Sequence, residues 1–157
     1  MICAEDEIGI GTSHDGILVL ETDVANGTPA ANFFNLSADL VLEIGLTPNR
    51  ADAASHWGVA RDIKAVTGLP IQLPSVDSLT ISQTHLPIEI HIQDKGCARF
   101  CGVSMDGIQV KPSPEWLQER LSAIGLRPIN NIVDITNFIC HGLGQPMHAY
   151  DWHQIKG

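Results

Sequence analysis

Three polar side chains near the carboxyl end of the chain have types and spacing suited to holding a substrate by hydrogen bonds. Thr136 and Asn137 are adjacent in a stretch of mixed apolar and polar residues, and His148 follows a Gly-x-Gly-x-Pro turn. Threonine and asparagine supply neutral donors and acceptors that can hold a water or an ester carbonyl. A neutral imidazole can bind a ribose hydroxyl or orient water. On the residues alone, local backbone hydrogen bonding explains the same side chains more simply, so both interpretations stay open.

Charged or nucleophilic catalysis finds little support in the sequence. It contains no phosphate-binding glycine loop with a lysine, no Gly-x-Ser-x-Gly elbow and no His-Glu-x-x-His pair. Cys140 and His141 are neighbours, so on a helix their side chains diverge and make a poor nucleophile–base pair. Asp134 has the chemistry of a general base, but an aspartate in a short helix is more often used for backbone hydrogen bonds, and we favour that interpretation.

Metal and disulfide chemistry are also not expected. Four cysteines lack any Cys-x-x-Cys spacing and, without a secretory signal, are interpreted as reduced thiols of a cytosolic protein. They are Cys3, Cys97, Cys101 and Cys140. The spacing of His141, His148 and His153 fits neither a helix face nor a zinc finger, so we expect no metal site.

The charge of the chain is unevenly distributed. Of its 157 residues, 44% are hydrophobic, and the formal net charge is −9. Residues 1–50 hold eight acids and one base, so most of the negative charge lies there. A basic footprint for nucleic acid is absent, which argues against tight RNA binding by this chain alone. No apolar run is long enough for a transmembrane helix.

Alternating apolar residues predict several short strands. The clearest has Ile88, Ile90 and Ile92 on one face, with Glu89 and His91 facing outwards. The Asp106-Gly107 turn predicts a hairpin. The full set of predicted strands comprises residues 17–20, 39–46, 88–92, 98–105, 108–110 and a short extended segment at 147–151.

Apolar periodicity predicts three helices. The first covers residues 53–67, with Asp52 as N-cap and Gly68 as its end. Its expected apolar stripe is Val59, Ala60, Ile63 and Val66, with Trp57 packing at the edge.

The second helix opens at Ser113-Pro114-Glu115, with serine as the cap and proline in the first position. It buries Leu117, Leu121 and Ile124 and ends at Gly125. The third covers residues 131–141, with Ile132, Ile135 and Ile139 facing inwards. The glycines and proline of 142–146 should then turn His148 back over this helix.

Three segments of the sequence together resemble the bacterial phenylalanyl-tRNA synthetase beta subunit. Leu46-Thr47-Pro48-Asn49-Arg50-Ala51-Asp52, followed by Gly58-Val59-Ala60-Arg61-Asp62, is similar to a strand–turn–helix hallmark of that family. Residues 1–9 look like the later part of its tRNA-binding-type OB domain, and residues 129–151 resemble the start of its editing domain. Their order and spacing match the family over nearly the whole chain.

The resemblance implies an α+β fold in three parts. Residues 1–31 would be the C-terminal remnant of the OB-type domain, residues 32–75 a strand–helix segment with a linker, and residues 76–157 the N-terminal part of an incomplete α/β editing domain. The chain would therefore be an internal segment of a longer subunit.

The resemblance also implies a function. The family attaches phenylalanine to tRNA-Phe with ATP and magnesium, as a cytoplasmic heterotetramer of alpha and beta subunits, and the beta editing domain hydrolyses tyrosyl-tRNA-Phe. Thr136, Asn137 and His148 fall on editing-pocket positions, and other pocket residues would lie beyond Gly157. The ligase site belongs to the alpha subunit, so the isolated chain should neither charge tRNA nor hydrolyse ATP, and it should hold no cofactor. The alternatives are a free-standing editing hydrolase and a non-catalytic interaction module.

Overall fold

The structure is a computed structural model that describes residues 3–36, 39–80 and 88–155. The chain divides into two compact units, residues 1–42 and 43–157. This division does not test the three predicted domains, residues 1–31, 32–75 and 76–157, which therefore remain predictions. Four α-helices are found in the described residues: α1 (Ala30–Phe33), α2 (His56–Thr67), α3 (Glu115–Ala123) and α4 (Asn131–Leu143). Short 3₁₀ turns are formed by Asp6–Ile8, Ala51–Ala53 and Trp152–Gln154.

The first unit is built from turns and the single-turn helix α1. Its 3₁₀ turn is closed by Gly9, and the His14 Nδ1 contacts both carboxylate oxygens of Asp6 at 2.9 Å. Helix α1 follows Pro29 and ends at Phe33, with Phe34 as its cap. Asn35 comes next, and its φ of 51° is the left-handed conformation common just after a helix.

The predicted strands are not found in the described part of the chain. Residues 17–20, 39–46, 88–92, 98–105, 108–110 and 147–151 run without β-ladder pairing. Ile90 and Ile92 are 41% and 46% exposed, so the alternating face that predicted a strand covers no core. A strand is stable only when its backbone groups pair with a neighbour, and no such neighbour lies among these residues. The helical part of the α+β expectation is confirmed, and its sheets stay predictions.

Helix α2 begins at a different cap from the one the sequence suggested. Ser55, not Asp52, is the N-cap, and its Oγ accepts from the Gly58 amide at 3.0 Å. Asp52 lies in the preceding 3₁₀ turn and pairs with Arg50 instead. The helix ends at Gly68 as predicted, with φ of 72°.

The apolar stripe predicted for α2 is only partly covered. Val59 and Ala60 are half-buried, but Ile63 and Val66 are 47% and 88% exposed. The buried contact of this helix is at its first turn, where Gly58 meets the 3₁₀ turn. The sequence pattern could not reveal this, because glycine carries no apolar signal.

Helices α3 and α4 form the main packed layer. Leu117 and Leu121 are each 1% exposed, which confirms two of the three buried positions predicted for α3. The third, Ile124, is half-buried. Gly125 closes α3 with φ of 81°. The amide of Leu126 donates to the Leu121 carbonyl at 2.9 Å, the hydrogen-bond pattern of a Schellman motif.

Helix α4 is two residues longer than predicted. It continues through Gly142 and ends at Leu143, with Gly144 as the left-handed cap at φ of 78°. A Cβ on Gly144 would also lie 3.2 Å from the Ser55 Oγ, so the end of α4 approaches the start of α2 closely. The His56 Nδ1 donates to the His141 carbonyl at 3.0 Å in the same region.

Replacing Gly58 with alanine should destabilise the protein. The new Cβ would lie 2.6 Å from the Ala53 Cα and closer still to the Asp52 carbonyl oxygen, both of them backbone atoms. Overpacking of this kind costs about 1–3 kcal/mol, which exceeds the gain of about 1 kcal/mol in helix propensity. Urea unfolding followed by circular dichroism measures the difference.

Gly142→Ala is the matched control, because it is also a helical glycine but has open space where its Cβ would stand. It should leave stability unchanged or raise it by up to about 1 kcal/mol. Equal urea midpoints for Gly58→Ala and Gly142→Ala would contradict the close approach of Gly58 to the backbone of the preceding 3₁₀ turn.

Candidate functional site

The candidate site is built around α4, whose amino terminus is fixed by two asparagines. Asn130 is the N-cap, and its Oδ1 accepts from the amides of Ile132 and Val133, both at 3.1 Å. Such a cap satisfies backbone donors that have no partner within the helix. The Asn130 side chain therefore fixes the residue at which α4 begins.

Asn131 ties the segment before α3 to the start of α4. Its Nδ2 donates to the Gln109 carbonyl at 2.9 Å, and its Oδ1 accepts from the Lys111 amide at 3.1 Å. Its own backbone amide donates to the Lys111 carbonyl at 2.9 Å. One residue thus pairs with this extended segment through three hydrogen bonds, as a neighbouring strand would.

Asp134 is the most deeply buried polar residue of the unit, with 0% of its surface exposed. Its Oδ2 accepts from the Ser113 hydroxyl at 2.5 Å, and its Oδ1 accepts from the Ile129 amide at 2.9 Å. Burying a carboxylate is costly unless its oxygens are hydrogen-bonded. The interpretation of Asp134 as a structural residue is confirmed, because both oxygens are occupied by neighbouring loops and neither faces solvent.

Ser113 is the partner that sequence reasoning missed. It was expected to cap α3, but Pro114 occupies the cap position, and the Ser113 hydroxyl reaches across to Asp134. The Ser113 carbonyl also accepts from Gln118 Nε2 at 2.6 Å. Ser-Pro-Glu is a common helix-opening sequence, so it contains no signal that would separate a local cap from a distant partner.

Thr136 and Asn137 are consecutive residues of α4, so their side chains leave the helix in directions about 100° apart, and both are half-buried. The Thr136 hydroxyl donates to the Val133 carbonyl at 2.7 Å. Its proton is therefore engaged by the helix, and its oxygen is left to act as an acceptor. Asn137 makes no side-chain hydrogen bond to another described residue, so its amide can both donate to and accept from a ligand.

His148 lies on the extended segment after α4. It is exposed, and its ring centroid is 6.2 Å from that of Tyr150, with the planes tilted by 39°. No hydrogen bond or ring contact among the described residues joins His148 to Thr136 or Asn137. Their convergence in one recess accordingly stays a prediction.

Other chemistry-bearing groups near α4 are few. Cys140 is half-buried and makes no disulfide. Within residues 3–36, 39–80 and 88–155, no set of three or more His, Cys, Asp or Glu side chains is placed to hold a metal ion. Over the same ranges, no helix combines the length and apolar character needed to cross a bilayer.

A second polar cluster surrounds Arg50 in the Thr-Pro-Asn-Arg-Ala-Asp segment. Its guanidinium donates to both oxygens of Asp62, at 2.8 and 2.7 Å, and to Asp52 at 3.0 and 3.3 Å. Hydrogen bonds to Asp52 and Asp62 raise the pKa of Arg50, and the Arg50 hydrogen bond lowers the pKa of Asp52. The cluster therefore links the turn before α2 to the helix itself. Arg50 and Asp52 lie at the turn, and Asp62 lies in the helix.

Comparison with known proteins identifies relatives of this chain. The B3/4 domain family matches residues 96–157, the part of the chain that contains α3 and α4. This places the carboxyl-terminal part of the chain in a defined class of domain.

Curated relatives cover the whole chain. It is 54% identical to the phenylalanine–tRNA ligase beta subunit of Bacteroides fragilis, 51% identical to that of Bacteroides thetaiotaomicron and 46% identical to that of Chlorobium chlorochromatii. Each alignment includes 100% of this chain, but only 20%, 20% and 19% of the relative. The chain belongs to the phenylalanyl-tRNA synthetase beta-subunit family, and it spans about a fifth of the length of the curated relatives it matches.

Removing the Asp134 carboxylate should destabilise the unit. Asp134→Ala leaves the Ser113 hydroxyl and the Ile129 amide without their acceptor, which should cost about 2–3 kcal/mol. Ser113→Ala removes one donor and should cost less, about 1–2 kcal/mol. The double variant should lose less than the sum of the two, because the pair shares one interaction. Urea unfolding of all three variants measures these differences.

Ser122→Ala serves as the control, because Ser122 is an exposed serine on α3. It should change stability by no more than about 0.5 kcal/mol. Strict additivity of Ser113→Ala and Asp134→Ala would show that the two side chains are not coupled.

Proposed function

We propose that this chain supplies one wall of the editing site of a phenylalanine–tRNA ligase, formed by Thr136, Asn137 and His148. The observation that carries the proposal is Asn137, a half-buried amide on a firmly held helix that makes no side-chain hydrogen bond to another described residue. No fully buried side-chain nitrogen or oxygen among the described residues lacks a hydrogen-bond partner, so the Asn137 amide atoms are open to solvent and accessible to a ligand.

The chemistry of this wall suits the hydrolysis of an ester by positioned water. Thr136 Oγ1 can accept a hydrogen bond from a water or a ribose hydroxyl, because its own proton is donated to the Val133 carbonyl. Asn137 can donate to an ester carbonyl, and a neutral His148 can orient water or hold a ribose hydroxyl. Fixed neutral dipoles of this kind act by placement and by stabilising the charge that develops in the transition state.

The substrate in this proposal is tyrosyl-tRNA-Phe. The beta subunit acts with an alpha subunit in a cytoplasmic heterotetramer, and the complex joins phenylalanine to tRNA-Phe using ATP and magnesium. In this proposal the ATP-dependent ligase site belongs to the alpha subunit, so the isolated chain should not charge tRNA.

The ligase assignment is better supported than a free-standing editing hydrolase. The matched relatives are named as ligase subunits, and their alignments include the residues before 96 as well as the B3/4 region.

His148→Ala in the complete ligase should slow the hydrolysis of tyrosyl-tRNA-Phe several-fold to about tenfold. The loss of one hydrogen bond to a substrate is worth about 0.5–1.5 kcal/mol. Charging with phenylalanine should be nearly unchanged, because that site belongs to another subunit. Deacylation of purified tyrosyl-tRNA-Phe under single-turnover conditions gives the first rate, and aminoacylation gives the second.

His153→Ala is the matched control, because His153 is also exposed and lies in the 3₁₀ turn that follows. It should leave both rates unchanged. Equal deacylation rates for wild type and His148→Ala would show that His148 does not contribute to the site. If Asn137→Ala also deacylates at the wild-type rate, the proposal that these residues form a wall of the editing site is wrong.

A further inference from the structure

An open groove of about 520 Å³ runs along α2, and none of the three editing residues lines it. It is lined by Trp57, Arg61, Lys64, Ala65 and Ile71. The first three are spaced by four and then three residues, so they lie on one face of the helix. Trp57 is half-buried, while Arg61 and Lys64 are exposed. The groove therefore presents an aromatic ring and two cations on one side of a single helix.

The charge around this groove is opposite in sign to that of the chain. Residues 47–74 contain two acids, Asp52 and Asp62, and three bases, Arg50, Arg61 and Lys64, which gives +1 in a chain of −9. Both acids are held by Arg50. Among the described residues, neither Arg61 nor Lys64 has a carboxylate within ion-pair distance. The charge of Arg61 contributes to lowering the pKa of Asp52, behind the larger effect of the Arg50 hydrogen bond. Neither cation of the groove is fixed in an ion pair among the described residues, so both can bind an external anion.

We propose that this groove binds an RNA strand, with a base stacked on Trp57 and backbone phosphates held by Arg61 and Lys64. Aromatic rings combined with cations along a groove are the usual means of holding single-stranded nucleic acid. An acidic protein segment would use the two cations but not the indole. The inference rests on the proposed function in one respect, since it takes the RNA to be the tRNA of that ligase.

The test measures the affinity of the complete ligase for tRNA-Phe as a function of salt. The double variant Arg61→Gln/Lys64→Gln should bind more weakly by about tenfold at low salt. The slope of log affinity against log salt should fall by about one for each lost phosphate contact. Trp57→Leu should weaken binding at every salt concentration without changing the slope, since stacking releases no counterions.

Lys95→Gln/Arg99→Gln is the matched control, because it removes one exposed lysine and one exposed arginine of the same unit outside the groove. It should leave both affinity and slope unchanged.

Unchanged binding by the groove variant overturns the inference and leaves the editing wall intact, since deacylation by wild type is measured separately. Unchanged RNA binding with weakened subunit association in sedimentation would assign the groove to an acidic protein segment and also overturn it. A wild-type ligase that neither binds nor deacylates tyrosyl-tRNA-Phe overturns the proposed function.

Discussion

A buried carboxylate organises the packed unit of this protein. Asp134 has no surface exposed, and its two oxygens receive one donor from the loop before α3 and one from the loop before α4. An uncompensated buried charge is strongly destabilising, so both loops must stay in place for the aspartate to remain inside. The single residue thereby fixes where the two helices begin relative to each other.

Apolar packing fills the space that this constraint defines. Leu117 and Leu121 of α3 are almost fully buried against α4. Trp116 and Phe138 meet edge to face, with ring centroids 5.6 Å apart, an arrangement that adds to simple burial. Because α4 is held at its start by polar bonds and along its length by packing, Asn137 occupies a fixed position. A site that acts by placing neutral dipoles needs that rigidity.

Sequence reasoning succeeded where the determinants are local. The glycines that end α2 and α3 and the buried leucines of α3 follow from patterns within one helix, and the structure confirms them. The backbone-binding role of Asp134 was also anticipated, but its partner was not. The sequence pattern assigns Ser113 to a helix cap. A single sequence does not show which side chains from distant segments come into contact, so the bond to Asp134 could not be predicted.

The failures have the same origin. Alternation at residues 88–92 predicts a face that can be buried, but a strand also needs a ladder partner, which is a property of the whole sheet. Ser55, not Asp52, caps α2, and Asp52 lies in the preceding turn, where it pairs with Arg50. Thr136, Asn137 and His148 were selected by residue type and spacing, and family resemblance then assigned them to a pocket. Whether they converge stays a prediction. The helical spacing of Trp57, Arg61 and Lys64 can be read from the sequence. A net charge of −9 over the chain, however, gives no indication of a local cationic face.

The central claim is that Asp134 holds the loops around α4, and hydrogen exchange of one amide tests it most directly. The side chain of Ile129 is 66% exposed, yet its amide donates to the buried carboxylate. The Arg127 amide lies in the same loop and makes no hydrogen bond among the described residues, so it is the internal reference. We predict that the Ile129 amide exchanges as slowly as the amides in the middle of α4, and that the Arg127 amide exchanges rapidly. Rapid exchange at both positions would contradict the account.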